Sequence, residues 1–326
     1  MIRGGTSAVV DSAWMLSGAL LVAFVVDRYV GEPPVRLHPV VWMGHYLNWA
    51  ARRLLPNPLP AVGDFRTFWL AAGFWLAGAA MVLIVSGALQ WGLVQLPWLA
   101  AALLLGLALK PMLAWAMLRS EVQAVEAALG QSLDAGRQRL AMLVSRDTTT
   151  LSESEVRESA IESLAENLND SVVAPIFWFV LFGLPGAAVY RFANTADAMW
   201  GYRGLRNGVN WEWAGKWAAR ADDLLSWVPA RITALLLKLL VPGVDYNRLR
   251  TEAHKTPSPN SGWPMAAMAL ALGVRLQKPG VYVLNPSGRP PEPKDAASAQ
   301  KKASKVVVAA ILFGQAAILL IASFKS

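Results

Sequence analysis

The stretch from Ser145 to Arg203 organises the chain and reads SRDTTTLSESEVRESAIESLAENLNDSVVAPIFWFVLFGLPGAAVYRFANTADAMWGYR. It joins a polar half to an apolar segment, Val172–Tyr190, that is long enough to cross a bilayer. Four acids in the polar half recur at intervals of four residues: Glu158, Glu162, Glu166 and Asp170. Since residues four apart stack on one face of a helix, this spacing predicts a single acidic stripe.

Such a stripe needs compensating charge, because like charges four apart destabilise a helix by about 0.2–0.5 kcal/mol per pair. We expect Mg²⁺ or arginine side chains to neutralise it. Carboxylate oxygens suit Mg²⁺, which commonly binds together with phosphates. A solvated helix face is the alternative. The stripe runs directly into an apolar segment, and this position favours the metal or arginine interpretation over mere solvation.

Composition indicates a membrane protein. The chain has 326 residues, of which 55% are hydrophobic and only 16% charged, and its mean hydropathy is +0.37. The absence of cysteine excludes disulfides, thiolate metal sites and a cysteine nucleophile. The net charge of +8 comes mostly from arginines between apolar segments. Positive-inside topology and anionic substrates therefore explain the charge better than nucleic acid does.

The sequence predicts an all-α, multi-pass helical integral membrane protein with five to six membrane segments. The apolar segments are Ser12–Val26, Thr67–Leu89, Leu96–Leu118, Val172–Tyr190, Leu224–Val241 and Val306–Phe324. We interpret residues 1–326 as a single membrane domain. Within it we distinguish a polar region with the acidic helix at 119–171, a polar loop at 242–262 and a Pro-rich, basic linker at 285–305.

The segment Val172–Tyr190 poses a topology problem, because both of its flanks are rich in arginine. The positive-inside rule places both flanks on the cytoplasmic side. Gly183-Leu184-Pro185-Gly186 interrupts the segment in the middle. We therefore hypothesise a re-entrant helical hairpin, which would bring the polar residues on both flanks into one site.

Local signals mark three further positions. Ser152 and Glu155 have capping-box spacing, so the acidic helix is predicted to begin near Glu153. Arg146 and Asp147 then lie just before a helix N-terminus, a favourable place for phosphate, although the sequence has no Walker-type glycine-rich loop. Lys110-Pro111 predicts a kink, and its intramembrane lysine either has a function or extends to the interface.

Several short motifs together resemble the CobD/CbiB family of adenosylcobinamide-phosphate synthases. Their order and spacing, over most of the chain, carry the resemblance. The motifs are Gly31-Glu32-Pro33, His38-Pro39-Val40, Ser145-Arg146-Asp147-Thr148, Glu162-Ser163, Glu166-Asn167, Asp170, Val173-Ala174-Pro175, Asn194-Thr195, Asp197, Gly201-Tyr202-Arg203, Asp222-Asp223, Trp227, Pro229-Ala230-Arg231, Thr233 and Ser258-Pro259-Asn260.

The resemblance implies a multi-pass enzyme of the bacterial inner membrane with a cytoplasmic active site. Such an enzyme joins a carboxyl of adenosylcobyric acid to an aminopropanol or its phosphate, consuming ATP and requiring Mg²⁺. An acyl phosphate is the expected activated form, because carboxylate and amine do not condense unaided. The implied partners are these corrinoid and amine substrates, the lipid bilayer and other late cobalamin-biosynthesis enzymes.

Carried onto this chain, the resemblance gives a set of residue roles. The predicted metal ligands are Glu162, Glu166, Asp170 and Asp197. The predicted catalytic residues, which neutralise phosphoryl oxygens or act as base, are Arg146, Asp147, Glu166, Arg203 and Asp222. The predicted substrate-binding residues are His38, Ser145, Thr148, Asn167, Asn194, Tyr202, Ser258 and Asn260.

The chain departs from the family pattern after its Ser-Pro-Asn loop. Met265 follows Pro264 where many members have glutamate, and Gln277-Lys278 replaces a usual Gly-Gly pair. Two other function classes stay open. One is an intramembrane, Mg²⁺-dependent enzyme of the prenyltransferase kind, although the second polar cluster is poor in acids. The other is a non-enzymatic regulatory or transport protein, although no internal repeat is visible.

Overall fold

The computed structural model describes residues 5–54, 63–206, 208–240 and 244–324, with side chains described from residue 11 onward. Helices dominate, which confirms the all-α prediction. The helices are α1 (Gly5–Tyr29), α2 (Pro39–Leu54), α3 (Phe65–Leu93), α4 (Trp98–Leu109), α5 (Trp115–Leu129), α6 (Leu133–Ala141), α7 (Glu153–Leu168), α8 (Ala174–Trp200), α9 (Lys216–Leu240), α10 (Tyr246–Ala253), α11 (Gly262–Leu272) and α12 (Pro293–Ser323). Two antiparallel hairpins pair β1 (Leu205–Arg206) with β2 (Val209–Asn210) and β3 (Leu276–Lys278) with β4 (Tyr282–Leu284).

Among the described residues, five helical stretches are long and apolar enough to cross a membrane. They are Asp11–Tyr29, Phe65–Leu93, Trp98–Leu129, Glu153–Trp200 and Pro293–Ser323. The multi-pass prediction is confirmed to this extent. The predicted segment Leu224–Val241 is not among the five. Its described part belongs to α9, and Val241 itself lies outside the described residues.

The described chain divides into two compact units. Unit 1 comprises Met1–Leu113, Ala174–Leu225 and Phe313–Ser326, and unit 2 comprises Ala114–Val173 and Ser226–Leu312. Helices α9 and α12 each contribute residues to both units. This division rests on contacts within the chain and does not test how the chain lies in a bilayer. The single membrane domain therefore stays a prediction.

In unit 1, α1 and α4 pack closely because small residues lie where they meet. A Cβ added to Gly106 would come within 2.7 Å of the carbonyl oxygen of Ala19. Small residues of this kind let membrane helices approach each other. Helix α4 ends at Leu109, and Lys110–Met112 forms a 3-10 turn, which confirms the predicted kink at Lys110-Pro111.

Helix α8, also in unit 1, is broken at Gly183, where φ is +67°. A Cβ added to Gly186 would collide with the carbonyl oxygen of Trp178, eight residues earlier. In a continuous helix those residues would be about 12 Å apart along the axis, so the chain folds back on itself here. Gln90 of α3 stabilises the break by accepting a hydrogen bond from the amide of Leu184 at 2.7 Å. The predicted interruption is confirmed, and re-entry into a membrane stays a prediction.

In unit 2, α7 begins at Glu153, as predicted, and its capping box is formed. The Ser152 hydroxyl accepts a hydrogen bond from the Glu155 amide, and the Glu155 carboxylate accepts one from the Ser152 amide. Beyond its first turn α7 is enclosed, with every residue from 156 to 165 buried. Helices α5, α6 and α11 and strand β3 all pack against it. The acidic helix is therefore the centre of this unit.

Two predicted boundaries differ in unit 2. Helix α12 begins at Pro293, inside the stretch 285–305 predicted as a linker, and Asp295 in its first turn receives two hydrogen bonds from Arg289. In the predicted polar loop, 242–262, residues 242–243 lie outside the described residues. Helix α10, capped by Asp245, occupies much of the remainder.

Candidate functional site

The acidic stripe exists, and it is buried rather than solvated. Glu158 and Glu162 are 0% and 1% exposed, whereas Glu166 and Asp170 are partly exposed. Burying ionised carboxylates without partners costs several kcal/mol each. The solvated-face alternative is therefore wrong for Glu158 and Glu162, and compensating groups are required.

Arginines supply part of this compensation. Arg146 donates from Nη2 to Glu162 Oε2 at 2.9 Å and from Nη1 to the Ser159 hydroxyl at 3.1 Å. Arg275 places Nη2 3.5 Å from Glu158 Oε1. Arg146 lies in the loop before α7, and its side chain reaches the middle of that helix. Of the two forms of neutralisation expected from the sequence, arginine pairing is confirmed.

The β3–β4 hairpin contributes residues that were not predicted to belong to the site. Arg275 precedes β3, Lys278 ends it, and Tyr282 begins β4 directly opposite Lys278. The Tyr282 hydroxyl is within reach of a hydrogen bond to Glu162, although it points to Met265 Sδ at 3.9 Å. Burial and the charges of Glu162 and Glu166 raise the pKa of Tyr282 above its ordinary value. The turn residues Pro279-Gly280, followed by the β-branched and aromatic run Val281-Tyr282-Val283, were the available signal for this hairpin.

Several carboxylate oxygens keep acceptor capacity. Glu158 Oε2 and Glu162 Oε1 are buried with no aligned hydrogen-bond donor in the described part of the chain. Glu166 forms no hydrogen bond or ion pair with any described residue, although its charge acts on Asp170, Glu162, Arg146 and Lys278. Hard, unengaged oxygens of this kind fit a divalent cation such as Mg²⁺.

These oxygens do not constitute a complete metal site. Within the ranges that the structure describes, no group of three or more His, Cys, Asp or Glu side chains lies close enough to hold a metal ion. Mg²⁺ commonly takes one or two carboxylates and completes its shell with water and substrate phosphates. The residues present fit that shared mode of binding, and the predicted ligands Glu162, Glu166, Asp170 and Asp197 stay a prediction.

The other predicted residues near α7 make local contacts. Asp147 is exposed and accepts hydrogen bonds from the Thr149 amide and hydroxyl, which lower its pKa. The buried Thr148 hydroxyl donates to the carbonyl oxygen of Arg137 at 3.1 Å, and Ser145 is exposed. Asn167 donates to the Ser163 carbonyl at 2.9 Å. Thr148 and Asn167 therefore have positioning contacts, while Asp147 and Ser145 remain accessible.

The Ser-Pro-Asn loop is held by an arginine. Arg231 donates to Asn260 Oδ1 at 2.6 Å and to the carbonyl oxygen of Pro259 at 3.0 Å. The Ser258 hydroxyl accepts hydrogen bonds from the amides of Asn260 and Ser261. Asn260 is 4% exposed. These contacts give the motif a structural role, and direct substrate binding by Ser258 and Asn260 stays a prediction.

His38 belongs to a separate ionic cluster in unit 1. Lys110, only 2% exposed, lies 2.6 Å from Glu32 Oε2 and 3.3 Å from Asp27 Oδ1. His38 Nδ1 accepts a hydrogen bond from the Val40 amide, so Nε2 carries the proton that faces Glu32 Oε2 at 3.2 Å. Lys110 is thus buried and paired within the protein, and extension to the interface is the wrong interpretation.

The remaining predicted residues of unit 1 lie in the last two turns of α8, just after that helix, or in α9. Asn194 donates to Asp222 Oδ1 at 3.4 Å. The Asp197 carboxylate lies against Gly201, where an added Cβ would collide with it. Tyr202 donates to the carbonyl oxygen of Ala198 and stacks under Arg206, while Arg203 is exposed. Asn194 and Asp222 are brought together, and the glycine after α8 leaves room for Asp197.

Comparisons with known proteins agree with the sequence resemblance. A family profile described as CobD/Cbib protein matches residues 20–310. A "Probable cobalamin biosynthesis protein CobD" from Methanothermobacter thermautotrophicus is 42% identical over 81% of this chain and 85% of the relative. One from Methanothrix thermoacetophila is 35% identical over 93% and 96%, respectively. The "Cobalamin biosynthesis protein CobD" of Brucella suis is 36% identical over 81% and 82%. No solved structure matches the chain.

Proposed function

The chain belongs to the CobD/CbiB family of cobalamin biosynthesis proteins, and we propose that it is an adenosylcobinamide-phosphate synthase. It forms the amide between adenosylcobyric acid and (R)-1-aminopropan-2-ol or its phosphate, at the expense of ATP. The observation that carries this proposal is the buried acidic face of α7. That face combines two arginine-paired glutamates with carboxylate oxygens that have no hydrogen-bond donor among the described residues.

In the proposed chemistry, the carboxylate takes a phosphoryl group from ATP and ADP leaves. The amine then attacks the acyl phosphate, and phosphate and a proton are released as the amide forms. Arg146 lies where its guanidinium can stabilise charge that develops on transferring phosphoryl oxygens. Glu166, unengaged on the same helix, accepts the metal or the proton released by the amine. Glu162 holds Arg146 in place by accepting a hydrogen bond at Oε2, so the roles of Glu162 and Arg146 depend on one another.

Mg²⁺, when bound with ATP, would neutralise phosphate charge, and Glu162, Glu166 and Asp170 are the residues we propose to hold it. In unit 1, roles in the same reaction stay a proposal for Asn194, Asp197, Arg203 and Asp222. His38, Tyr202, Ser258 and Asn260 are proposed to contact the corrinoid or the amine.

The proposed location is the cytoplasmic side of the cell membrane. Among the described residues, five helical stretches that are long and apolar enough to cross a membrane support membrane insertion. Relatives occur in archaea as well as in bacteria, so the proposal concerns the cytoplasmic membrane generally. Association with other late enzymes of the same biosynthesis is part of the proposal, and no nucleic-acid partner is expected.

A complementation experiment tests the proposed function. The chain is expressed in a bacterium that lacks its own adenosylcobinamide-phosphate synthase, with cobyric acid supplied, and cobalamin-dependent growth is scored. We expect growth with the wild-type chain. Failure to grow, with the protein present in the membrane and growth restored by cobinamide, would contradict the enzyme function and favour a regulatory relative.

A further inference from the structure

The β3–β4 hairpin presents one face to the interior of unit 2. In an antiparallel pair, directly opposed residues lie on the same face, and alternate residues return to it. Leu276 pairs with Leu284, and Lys278 pairs with Tyr282. Both leucines are 0% exposed, so this shared face points inward. Lys278 and Tyr282 therefore share the inward-facing surface of the hairpin. The charge of Lys278 acts on Glu166, and the charges of Glu162 and Glu166 act on Tyr282.

Lys278 differs from the other cations around the acidic stripe because it forms no ion pair with a described residue. Arg146 is hydrogen bonded to Glu162, and Arg275 lies 3.5 Å from Glu158. The Lys278 ammonium interacts electrostatically with Glu162 and Glu166, yet no described carboxylate comes within 4.0 Å of it. Its three N–H donors are therefore available to a ligand.

The acceptors beside it point to the same conclusion. Glu162 is 1% exposed, and its Oε1 has no aligned donor in the described chain, while Glu166 has no ion pair there. A lysine with a flexible four-carbon stem could close onto Glu166 if pairing were its only role. A Mg²⁺-bound phosphate suits such a site. Its anionic oxygens can accept hydrogen bonds from the ammonium, and its cation can bind the neighbouring carboxylate oxygens.

We propose that Lys278 is a phosphate-binding residue that, together with Arg146, holds a Mg²⁺-bound phosphate group beside Glu162 and Glu166. Tyr282 lies opposite Lys278 in the hairpin, and its hydroxyl points to Met265 Sδ. The identity of this phosphate as that of a nucleotide rests on the proposed function. The phosphate site itself does not, because it follows from an ammonium and carboxylate oxygens that have no partner within the described ranges of the chain.

Binding of inorganic tripolyphosphate in the presence of Mg²⁺ tests the site without any catalysis. Calorimetry on the full chain in detergent compares wild type with Lys278→Gln, which removes the charge, and Lys278→Arg, which keeps it. Lys294→Gln is the matched control, because Lys294 is a surface lysine of the same unit that pairs with Glu292 at 2.8 Å. Thermal unfolding of each variant is measured in parallel.

We expect Lys278→Gln to weaken tripolyphosphate binding by about tenfold or more, because a hydrogen bond to a charged group contributes about 1.5–3 kcal/mol. Lys278→Arg retains most of the affinity, and Lys294→Gln behaves as wild type. Equal affinities for Lys278→Gln and Lys294→Gln would overturn the proposal. A loss of affinity accompanied by an equal loss in Lys278→Arg and a lowered melting temperature would also overturn it, since that pattern describes a structural residue.

The same variants separate this inference from the proposed function. If the wild-type chain binds tripolyphosphate through Lys278 but forms no amide from adenosylcobyric acid, the phosphate site stands and the proposed reaction falls. If the chain forms the amide and Lys278→Gln leaves the KM for ATP unchanged, the reaction stands and the role of Lys278 falls. A raised KM for ATP with an unchanged KM for the corrinoid supports both.

Discussion

Arg146 and Glu162 form an ion pair inside unit 2, with Nη2 2.9 Å from Oε2, although 16 residues separate them in sequence. Glu162 is 1% exposed, so its charge depends on this partner. Removing Arg146 alone, as in Arg146→Gln, leaves a buried carboxylate unpaired. Such losses cost about 3–5 kcal/mol, and partial exposure of Arg146 favours the lower end of that range.

A double-mutant cycle checks this prediction. We expect Arg146→Gln and Glu162→Gln each to lower the free energy of unfolding, and the double variant to lose less than the sum of the two. Denaturant unfolding in mild detergent measures all three. Additive losses would show that the pair is not coupled and would remove Arg146 from the centre of the site.

The fold-back in α8 leads to a second prediction. Gly186→Ala places a methyl group against the carbonyl oxygen of Trp178, so the two halves of the helix must separate. We expect a destabilisation of about 1–3 kcal/mol. Gly73→Ala in α3 is the control, because its Cβ would meet no atom within 4 Å. That change should be neutral or stabilise by up to about 1 kcal/mol. Equal melting temperatures for the two variants would contradict the fold-back.

The N-cap of α3 gives a pH-dependent prediction. Asp64 accepts a hydrogen bond from the Thr67 amide at 3.0 Å, and its hydrogen bonds with Thr67 hold its pKa below the ordinary value of 3.8. A lowered folded pKa stabilises the protein above the unfolded pKa, and this contribution is lost as pH falls through the folded value. Asp64→Ala should cost about 0.5–2 kcal/mol at neutral pH.

Asp64→Asn separates the charge from the cap, because asparagine also caps a helix but does not titrate. We expect the difference in melting temperature between wild type and Asp64→Asn to shrink as pH falls from neutral to below about 4. A difference that stays constant over this range would show that the charge of Asp64 contributes nothing.

The buried lysine of unit 1 gives a further prediction. Lys110→Met removes the cation that faces Asp27 and Glu32 and leaves two carboxylates close together. We expect a loss of about 3–5 kcal/mol of stability. Lys305→Met is the control, because Lys305 is exposed. If Lys110→Met and Lys305→Met had the same melting temperature, Lys110 would not stabilise the cluster.

Much of the fold follows from local sequence signals. The capping box at Ser152 and Glu155, the kink at Lys110-Pro111 and the break at Gly183 each depend on residues close together in the chain, and each is found where predicted. The four-residue spacing of the acids likewise gives their common face. Such features depend on local backbone geometry, and the residues that determine it are close together in the sequence.

The partners of the acidic stripe were harder to predict. Arg275, Lys278 and Tyr282 reach α7 from more than 100 residues further along the chain, through a hairpin of two three-residue strands. No periodic pattern connects the two segments. In the sequence, Met265 and Gln277-Lys278 stand out only as departures from a family pattern, whereas the fold places Met265 beside Tyr282 and Lys278 near the glutamates. Long-range pairing of this kind is set by tertiary packing.

The most direct measurement is amide formation by the purified protein. Adenosylcobyric acid, aminopropanol or its phosphate, ATP and Mg²⁺ are incubated with wild type and with Glu166→Gln, and the product is quantified by mass spectrometry. Because Glu166 has no ion pair in the described chain, Glu166→Gln should fold and melt as wild type does. We predict ATP-dependent product with wild type and none above background with Glu166→Gln. Full activity of a folded Glu166→Gln protein would contradict the assignment of the acidic face of α7 as the active site.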